Sequence, residues 1–405
     1  MIPNLAFTWQ LTEVHGWGLV GVHTALYLAD QGRPPLLLEK PLMGTLRPEN
    51  RAKLQSLEGP YQQVAAMADN ANGHMLLVKE FDVLHALGNG FTAGGPSARF
   101  RGRRNVGVIA YEETRFTPEV MSRARQYDRI VVHSTYNKQL LEIWGFDNVG
   151  LAFQGIDPTE MVEAEPSGRF GDRFVIFSGG KLEFRKGQDI VLAAFRAFRQ
   201  RHPDALLVTA WQNAWPEVGM TMAESPLAAK PPRVLPNNMI DVKTWAMENG
   251  ADEEGFVDLG FLGRHQIAGV LADCHAAVFP NRCEGATNLV AMEAMACGVP
   301  VVLSNNTGHR DLLKSPTQGD DLCLTLDRQV PVADRDGSRF GWGESSVDEL
   351  VEALERLYAD RAAAKTRAAR AKAFIRTKRT WRTFAEAFVE ATQDTAQTAV
   401  QAAAR

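Results

Sequence analysis

Cysteine is scarce in this chain of 405 residues, which holds Cys274, Cys283, Cys297 and Cys323. They form no CxxC pair, and no histidine stands at a zinc-ligand spacing from them. Such sparse cysteines exclude a disulfide scaffold. We therefore expect reduced thiols in a cytoplasmic protein.

Long apolar runs and an excess of one charge are also missing. No stretch approaches the roughly 18 apolar residues that a membrane span needs, and the amino terminus lacks the basic start and apolar core of a signal peptide. The chain has 44 Lys and Arg against 48 Asp and Glu, a net charge of -4. Because no global basic field exists, nonspecific nucleic-acid binding is not expected, and an anionic partner must be held by a local site.

What the sequence does contain is a regular alternation of short apolar runs and helical patterns, which predicts βα units and parallel sheets. A hydrophobic fraction of 45% and the length of 405 residues indicate two globular domains. Two series of strands are predicted: 5–9, 35–39, 82–87, 105–110 and 129–134, and then 173–179, 205–211, 255–263, 275–280 and 300–305.

The segment between the two series, residues 155–172, is acidic and broken by proline and glycine, as linkers are. It separates a first domain, 1–160, from a second, 165–374. The polar inserts 212–254 and 314–346 have no predicted fold, although such sheets carry site-forming loops there. Long helices are predicted after Val347, and a flexible tail over 393–405.

The most informative stretch is EGATNLVAMEAMACGVPVV, residues 284–302. A strand, a loop, a helix and a strand aim a helix amino terminus, with roughly half a positive charge, at a ligand such as phosphate. Glu293, one turn into the helix, is placed to accept hydrogen bonds from sugar hydroxyls. The alternative is that these glutamates are solvated carboxylates beside a core helix. The candidate donor-binding residues here are Glu284, Gly285, Thr287, Asn288, Leu289 and Glu293.

A second stretch, FVIFSGGKLEFRKGQDIVLAAFRAF at 174–198, places a glycine pair ending in Gly180, then Lys181 and Lys186, after a strand. Two cations above the carboxyl end of a strand suit a diphosphate that must be neutralised as it departs. Plain surface charge is the alternative for either lysine. Arg185 either contributes to the site or faces water.

Together these stretches resemble the retaining GT-B glycosyltransferases, in particular glycosyltransferase family 4. GKLEFRKG (180–187) matches the family's phosphate loop with Lys181 at its arginine position, and EAMACGVPVV (293–302) stands verbatim after the paired glutamates. HGWG (15–18), FQGIDPTEM (153–161), NNTGHRDLL (305–313) and Trp381 match more weakly. The chain departs from the family in one respect, because eight residues rather than seven separate its two glutamates.

The resemblance implies two doubly wound Rossmann-like domains facing across a cleft, the first completed by helices 375–392. It implies transfer of a sugar, with retention of configuration, from a nucleotide diphosphate sugar to a hydroxyl of a glycan, lipid or polypeptide, with no cofactor. Glu293 would bind the ribose and Glu284 the donor sugar, while Lys181 and Lys186 stabilise the departing diphosphate. His85 would lie near the reacting sugar, although a histidine satisfied at a strand end is equally compatible with its position.

The amino-terminal GWGLVG (16–21), with Glu39 about 20 positions on, imitates a dinucleotide fingerprint. NAD binding is disfavoured because residues 10–15 separate the first strand from the glycines, whereas in a dinucleotide site the glycine turn follows the strand directly. In the glycosyltransferase interpretation, Gly16 and Gly18 let the backbone approach the donor phosphate or the acceptor. The same fold is also compatible with a sugar-nucleotide epimerase and with a non-catalytic partner subunit.

Several charged groups remain. Glu112 and Glu113 follow a strand as cleft carboxylates or plain loop charges. Asp334 and Asp336 form a DxD pair in a polar insert, where a turn is expected rather than a metal site, so no metal is predicted. The basic runs 97–104 and 361–382 are either solvated faces or a peripheral contact with an anionic membrane.

Overall fold

The computed structural model describes residues 2–317 and 319–393, which form two compact units. Within these residues, unit 1 comprises 2–155, 334–340 and 379–393, and unit 2 comprises 156–333 and 341–378. The division at 155/156 lies close to the predicted linker, and the helix that returns to unit 1 begins after residue 378 rather than at 375. Of the tail predicted at 393–405, residues 394–405 lie outside the described residues.

The strands of both units are short and mostly buried, as the apolar runs predict. In chain order they are β1 Leu5–Phe7, β2 Leu36–Leu37, β3 Leu76–Gly88, β4 Thr92–Ala93, β5 Phe100–Val108, β6 Arg129–Val132, β7 Val149–Leu151, β8 Phe174–Gly179, β9 Ala205–Ala210, β10 Phe256–Asp258, β11 Ala276–Phe279, β12 Val301–Ser304, β13 Leu324–Leu326, β14 Gln329–Pro331 and β15 Gly343–Ser345.

The α-helices connect these strands and cover the sheets. They are α1 Gly16–Asp30, α2 Pro48–Leu54, α3 Glu58–Asn70, α4 Pro96–Arg99, α5 Pro118–Ala124, α6 Thr135–Ile143, α7 Gln188–Arg199, α8 Val242–Glu248, α9 Arg264–Ala272, α10 Leu289–Ala296, α11 Val347–Ala359, α12 Arg361–Lys378 and α13 Trp381–Ala391. Short 3-10 turns lie at Met43–Thr45, Gln55–Leu57, Asn89–Phe91, Phe184–Lys186, Pro216–Glu224 and Thr307–Leu312.

Unit 1 is built on a sheet of order β2-β1-β3-β5-β6-β7, parallel throughout, with β4 antiparallel to the end of β3. The strand order reverses between β1 and β3, so this is the topological switch point of the unit. β3 starts six residues before the predicted strand at 82. Its first half is only partly buried, so it lacks the continuous apolar run from which a strand is predicted. α13 packs against α1 and β7, which brings the carboxyl-terminal helix into unit 1.

Unit 2 carries the parallel sheet β10-β9-β8-β11-β12-β13, with its switch point between β8 and β11. Apolar residues of β8 such as Phe174 and Ile176 join α7 and α11 in one core layer, while Val175 and Phe177 face the other layer with α10. A sheet buried on both faces accounts for the near-continuous apolar strands. The doubly wound α/β prediction is confirmed.

The two inserts that lacked a predicted fold are both structured. Residues 212–254 contain the 3-10 turn Pro216–Glu224 and α8, and residues 314–346 contain β13 and the β14-β15 hairpin. The tip of the second insert, 334–340, belongs to unit 1. There the backbone N–H of Thr114 donates to the Ser338 carbonyl (2.9 Å) and the Tyr136 hydroxyl donates to the Phe340 carbonyl (2.6 Å).

Candidate functional site

The loops that follow β8, β11 and β12 bring polar side chains together at the switch point of unit 2. In an open α/β sheet this is the place where ligands bind. The residues that meet there come from three sequence stretches, 180–187, 281–293 and 304–309. The first two are those that the sequence analysis singled out.

Glu284 is the centre of this cluster and is 4% exposed. Its carboxylate accepts hydrogen bonds from Lys186 Nζ and Asn281 Nδ2, and lies 3.4 Å from an Arg185 guanidinium nitrogen. Burial opposes ionisation, yet the charges of Lys186 and then Arg185 hold the pKa of Glu284 at about 2. Glu284 is therefore an ionised, buried carboxylate and not a solvated loop charge.

Lys186 and Arg185 both belong to the 3-10 turn Phe184–Lys186 that precedes α7. Burial lowers the pKa of Lys186, and the attraction of Glu284 opposes that effect. Arg185 is 7% exposed and donates to Glu183 (2.9 Å) and to the Cys283 carbonyl (3.3 Å), so it does not face water. Gly187 closes the turn with φ of 70°, and an added Cβ would lie 2.4 Å from the Pro280 carbonyl oxygen.

Lys181 stands apart from this pair. Its side chain is 39% exposed, lies 3.9 Å from Glu183 and faces the Trp215 ring at 5.6 Å. The preceding Gly180 has φ of 108°, a conformation that favours glycine. The two lysines that the sequence treats as equivalent thus occupy different environments, one buried and paired, the other at the surface.

Arg282 stabilises the turn that carries Lys186. The Arg282 side chain is fully buried, donates to both carboxylate oxygens of Asp189 (2.9 and 2.6 Å) and to the Phe184 carbonyl (2.7 Å), and stacks over the Phe184 ring. Its Nε donates to Glu344 of β15 (2.9 Å). Arg282 therefore ties the lysine turn, α7 and the second insert to the Glu284 loop.

The loop 285–288 leads from Glu284 into α10, which begins at Leu289. Asn288, with φ of 62°, caps this helix, because its Oδ1 accepts from the Ala291 N–H at 3.3 Å. The Thr287 hydroxyl is buried and has no hydrogen-bond partner within the described part of the chain. Gly285 is buried, as are Glu284 and Thr287.

His309 links the α10 cap to Glu284 through a chain of hydrogen bonds. Asn288 Nδ2 donates to His309 Nε2 (2.9 Å), so the proton sits on Nδ1 and is donated to Ser304 Oγ (2.8 Å). Ser304 in turn donates to the Asn281 carbonyl (2.7 Å), and Asn281 donates to Glu284. Burial lowers the pKa of His309 to about 4, which keeps the ring neutral.

The turn after β12 fits closely against the Glu284 loop. The Glu284 N–H donates to the Thr307 hydroxyl (2.8 Å), and the Gly308 N–H donates to the Glu284 carbonyl (3.0 Å). Thr307 has φ of 39°, an uncommon conformation for a β-branched residue. A Cβ on Gly308 would lie 1.8 Å from the Ala286 carbonyl oxygen, so only glycine permits this approach.

Glu293, on α10, is 5% exposed and is held by an arginine from α9. Arg264 donates to Glu293 Oε1 at 2.9 Å and to Glu160 Oε2 at 2.8 and 3.0 Å. Burial, together with the negative charge of Glu160, raises the pKa of Glu293, and Arg264 opposes this rise. Sequence reasoning selected Glu293 but missed its partner Arg264, and it assigned no role to Glu160, which lies in the match at 153–161.

The glycines at the start of α1 include two that are closely packed, Gly18 and Gly21. α1 begins at Gly16, and the N–H of Gly18 donates to the capping His15 Nδ1 at 3.1 Å. A Cβ on Gly18 would lie 2.2 Å from the Thr12 carbonyl oxygen, and one on Gly21 would lie 2.5 Å from Trp9 Nε1. These contacts give Gly18 and Gly21 a packing role, and approach of the donor phosphate or the acceptor to Gly16 and Gly18 stays a prediction.

His85 is fully buried within the unit 1 sheet. Its Nε2 lies 3.0 Å from Asn105 Oδ1 on β5, its ring packs on Tyr127, and burial lowers its pKa to about 4. The placement favours the structural alternative over contact with a sugar. In the same unit Trp381 is buried and stacks on His23 at 4.8 Å.

An open cavity of about 590 Å³ lies at the switch point of unit 1, beside the ends of β1 and β3. Glu39 is the one charged residue among the described residues that line it, and Gly94 and Gly95 form part of its wall. Glu112 and Glu113 do not line this cavity, and their backbone N–H groups donate to Asn89 Oδ1.

The remaining predicted charged segments are engaged in internal contacts. Asp336 pairs with Arg115 (3.2 Å) and accepts from Ser338 (2.6 Å), and Asp334 is exposed. Within the described residues no cluster of three or more metal-ligating side chains is found, and no helix is long and apolar enough to cross a membrane.

Each arginine of run 97–104 makes a contact within unit 1, to Ala68, Ser97 or Asp82. In α12, Lys372 pairs with Glu163 and Arg376 donates to the Met161 carbonyl. Membrane contact through either run stays a prediction.

Cations and a helix amino terminus at the switch point of a parallel α/β sheet form the kind of arrangement that can bind an anionic ligand. Residues 263–388 match the family described as "Family 4 Glycosyltransferase in conflict systems". The chain is also similar to the uncharacterized glycosyltransferase YqgM of Bacillus subtilis (strain 168), with 29% identity over 185 residues, 45% of this chain and 44% of YqgM. The match therefore spans less than half of that relative.

Solved structures resemble nearly the whole chain. Anabaena Alr3699/HepE in complex with UDP and glucose has a TM-score of 0.64 and 15% identity, covering 96% of this chain and 98% of that protein. Sucrose-phosphate synthase from Thermosynechococcus elongatus has a TM-score of 0.62 and 14% identity, covering 99% of each chain. The predicted GT-B fold and the resemblance to family 4 glycosyltransferases are confirmed.

Proposed function

We propose that this protein is a glycosyltransferase that moves a sugar from a nucleotide diphosphate sugar to a hydroxyl acceptor with retention of configuration. The observation that supports this most is the cluster at the switch point of unit 2. There Lys186 and Arg185 contact the buried carboxylate Glu284, whose loop leads into α10, and α10 carries the second buried carboxylate, Glu293. The Anabaena protein of the same fold binds UDP and glucose, which fits a nucleotide-sugar donor.

The cluster suits the charge that develops in such a reaction. As the bond between sugar and phosphate breaks, negative charge grows on the departing diphosphate, and preorganised positive groups stabilise it. Lys186 and Arg185 supply two cations, and α10 adds the partial charge of its amino terminus. Lys181, at the surface, is available to the outer phosphate oxygens.

The carboxylates supply the polar contacts to the rest of the donor. Glu284, ionised beside Lys186, would accept hydrogen bonds from sugar hydroxyls, and the exchange of Lys186 from carboxylate to phosphate would accompany donor binding. Glu293 would accept from the ribose hydroxyls. No step in this scheme calls for a metal ion, since the protein's own cations serve the diphosphate.

For the acceptor, we propose the cavity at the switch point of unit 1. Its wall of glycines and its single carboxylate, Glu39, suit a neutral or cationic acceptor rather than a phosphate. The side chain of a residue at 94 would enter open space, since a Cβ there meets nothing within 4 Å.

The test is incubation of the protein with UDP, GDP and ADP sugars, with and without sugar, lipid and polypeptide acceptors. We expect release of the nucleoside diphosphate to depend on an acceptor and to be abolished in Lys186→Ala. Gly94→Leu should raise the acceptor KM and leave the donor KM and the melting temperature unchanged. Conversion of the donor sugar without any acceptor would instead identify an epimerase, and reduction of added NAD an oxidoreductase.

A further inference from the structure

The contacts of Arg264 bear on how the nucleotide is held. Arg264 is the first residue of α9 and follows the loop after β10. Its guanidinium bridges two carboxylates from separate parts of unit 2, Glu293 on α10 and Glu160 near the start of the unit. The side chains of all three are largely buried, with 14% of Arg264, 6% of Glu293 and 8% of Glu160 exposed.

Glu293 shares the single guanidinium of Arg264 with a second buried carboxylate, Glu160. Such an arrangement is costly to bury unless a further positive or hydrogen-bond-donating group meets it. The vicinal hydroxyls of a ribose are donors of this kind. One Glu293 oxygen, Oε1, already accepts from Arg264, so the arginine fixes the orientation in which the carboxylate can meet a ribose.

We propose that Arg264 is a positioning residue for the ribose subsite: by bridging Glu160 and Glu293, it holds the Glu293 carboxylate in the orientation that meets the ribose hydroxyls. This inference rests on the proposed function, in which Glu293 binds the ribose. It adds a residue from a different element, together with a second carboxylate, Glu160, that competes for the same cation.

The charged groups around Glu293 support this inference. Arg264 lies on α9, and Glu160 lies in the segment preceding Met161. Cys297 caps the carboxyl end of α10, where burial first and then the charge of Glu293 raise the pKa of its thiol to about 12. From α12, Lys372 is paired with Glu163, and Arg376 donates to the Met161 carbonyl. Among these described groups, Arg264 is the cation in direct contact with Glu293.

The test compares UDP with inorganic pyrophosphate, which has no ribose, in calorimetric titrations of the full chain; GDP or ADP replaces UDP if the wild type binds it more tightly. In Arg264→Met we expect UDP affinity to fall about tenfold or more at neutral pH, as for loss of a charge-assisted interaction. Pyrophosphate affinity should be unchanged. A purely structural role for Arg264 would weaken both ligands equally.

The second carboxylate provides the matched variant. Glu160→Gln removes the competing charge and should leave UDP binding as tight as in the wild type or tighter. In the Arg264→Met background, Glu160→Gln should restore part of the lost UDP affinity, since an isolated Glu293 ionises more readily than one of a like-charged pair. In Arg264→Met alone, UDP affinity should recover as the pH rises from about 7 to 9, while the wild type stays flat.

The outcomes separate this inference from the function it rests on. If Glu293→Gln leaves the ratio of UDP to pyrophosphate affinity unchanged, the ribose role of Glu293 is wrong and the proposed donor site falls. If Glu293→Gln lowers that ratio but Arg264→Met does not, or if Glu160→Gln gives no rescue, the positioning role of Arg264 is wrong. Should Arg264→Met fail to fold, Arg264→Lys carries the same comparison, with a smaller loss expected because lysine cannot bridge both carboxylates in fork geometry.

Discussion

Units 1 and 2 share an architecture but present different chemistry at their switch points. In unit 2, the strand ends carry lysine, arginine and glutamate in contact with one another, around Glu284. In unit 1, the corresponding place is an open cavity with Glu39 as its charged lining residue.

The histidines of unit 1 add to the contrast, because His85 and His133 are buried and neutral rather than presented to a ligand. The difference lies in the loops, since both sheets are parallel and apolar. The two sheets differ in strand order on one side of the switch point, β2-β1-β3 in unit 1 and β10-β9-β8 in unit 2, but both have such a point. The comparison teaches that the switch point fixes where polar loops gather, while a few loop residues decide whether charged side chains or an open cavity lie there.

The largest expected difference between the two units is in the stability that each loses at acidic pH. Burial lowers the pKa of His85 and His133 in unit 1, and of His309 in unit 2, from 6.5 to about 4, and it also lowers the pKa of the partly buried His275 in unit 2. As the pH falls below 6.5 the unfolded chain takes up these protons first, so His85, His133 and His309 each lower the free energy of unfolding by about 3 kcal/mol at pH 4. Hydrogen exchange by mass spectrometry at about pH 7 and 4.5 should show unit 1 losing more protection than unit 2.

His133→Phe should reduce the acid sensitivity of unit 1, because the ring that packs against Phe384 and Phe388 is kept while its titration is removed. Equal loss of protection in both units would contradict the difference that we assign to the two buried histidines of unit 1.

Glycine substitution should show that the unit 2 site is close-packed where the unit 1 cavity is open. Gly308→Ala places a methyl group against the Ala286 carbonyl and should cost about 3 kcal/mol of unfolding free energy, through a forced backbone shift. Gly94→Ala is the matched variant and should be neutral. Denaturant unfolding of both variants measures the difference in unfolding free energy. An unchanged free energy in Gly308→Ala would show that the backbone at 307–308 can shift without cost.

Within unit 2, the two lysines should differ as a buried pair differs from a surface charge. Lys186→Ala should weaken UDP and pyrophosphate binding by about tenfold to a hundredfold, the effect of losing a charge-assisted contact. Lys181→Ala should cost about threefold or less, because its side chain is 39% exposed and screened. Calorimetry decides between them, and equal losses would mean that Lys181 moves onto the phosphates.

The smallest effect is expected from metal removal. Turnover should survive excess EDTA, and the double variant Asp334→Asn with Asp336→Asn should remain active, because Asp336 is engaged by Arg115 and Ser338 in unit 1. Loss of turnover in EDTA that magnesium or manganese restores would overturn the metal-free scheme and the role given to Lys186.

Much of the unit 2 site could be predicted from the sequence, because several of its residues follow apolar strands at short spacings. Lys186, Glu284 and Glu293 could be selected from such local patterns. Their partners Asn281 and Arg264 could not, since they are ordinary polar residues until the fold brings them together, and His309 lies in the weaker match at 305–313, which assigned it no role. Arg264 does follow a predicted strand directly, which is the one local signal that points to it.

Unit 1 was harder to predict. His85 does lie on a strand, yet its burial depends on Asn105 and Tyr127, which stand 20 and 42 positions later. The three-residue strand β7 is too short to show a pattern. The position of segment 334–340 rests partly on backbone hydrogen bonds such as that from Thr114 to Ser338, and these leave no trace in side-chain composition.

That last segment limits how the chain can be divided or recombined. The polypeptide passes from one unit to the other at 155/156, 333/334, 340/341 and 378/379. A transplant of residues 156–378 into a related protein would carry 334–340 away from Thr114 and Tyr136, the groups that it bonds to. We therefore expect a chimera that exchanges 156–378 as one contiguous piece to fail. A chimera that keeps residues 334–340 from the protein that supplies unit 1 should avoid this loss.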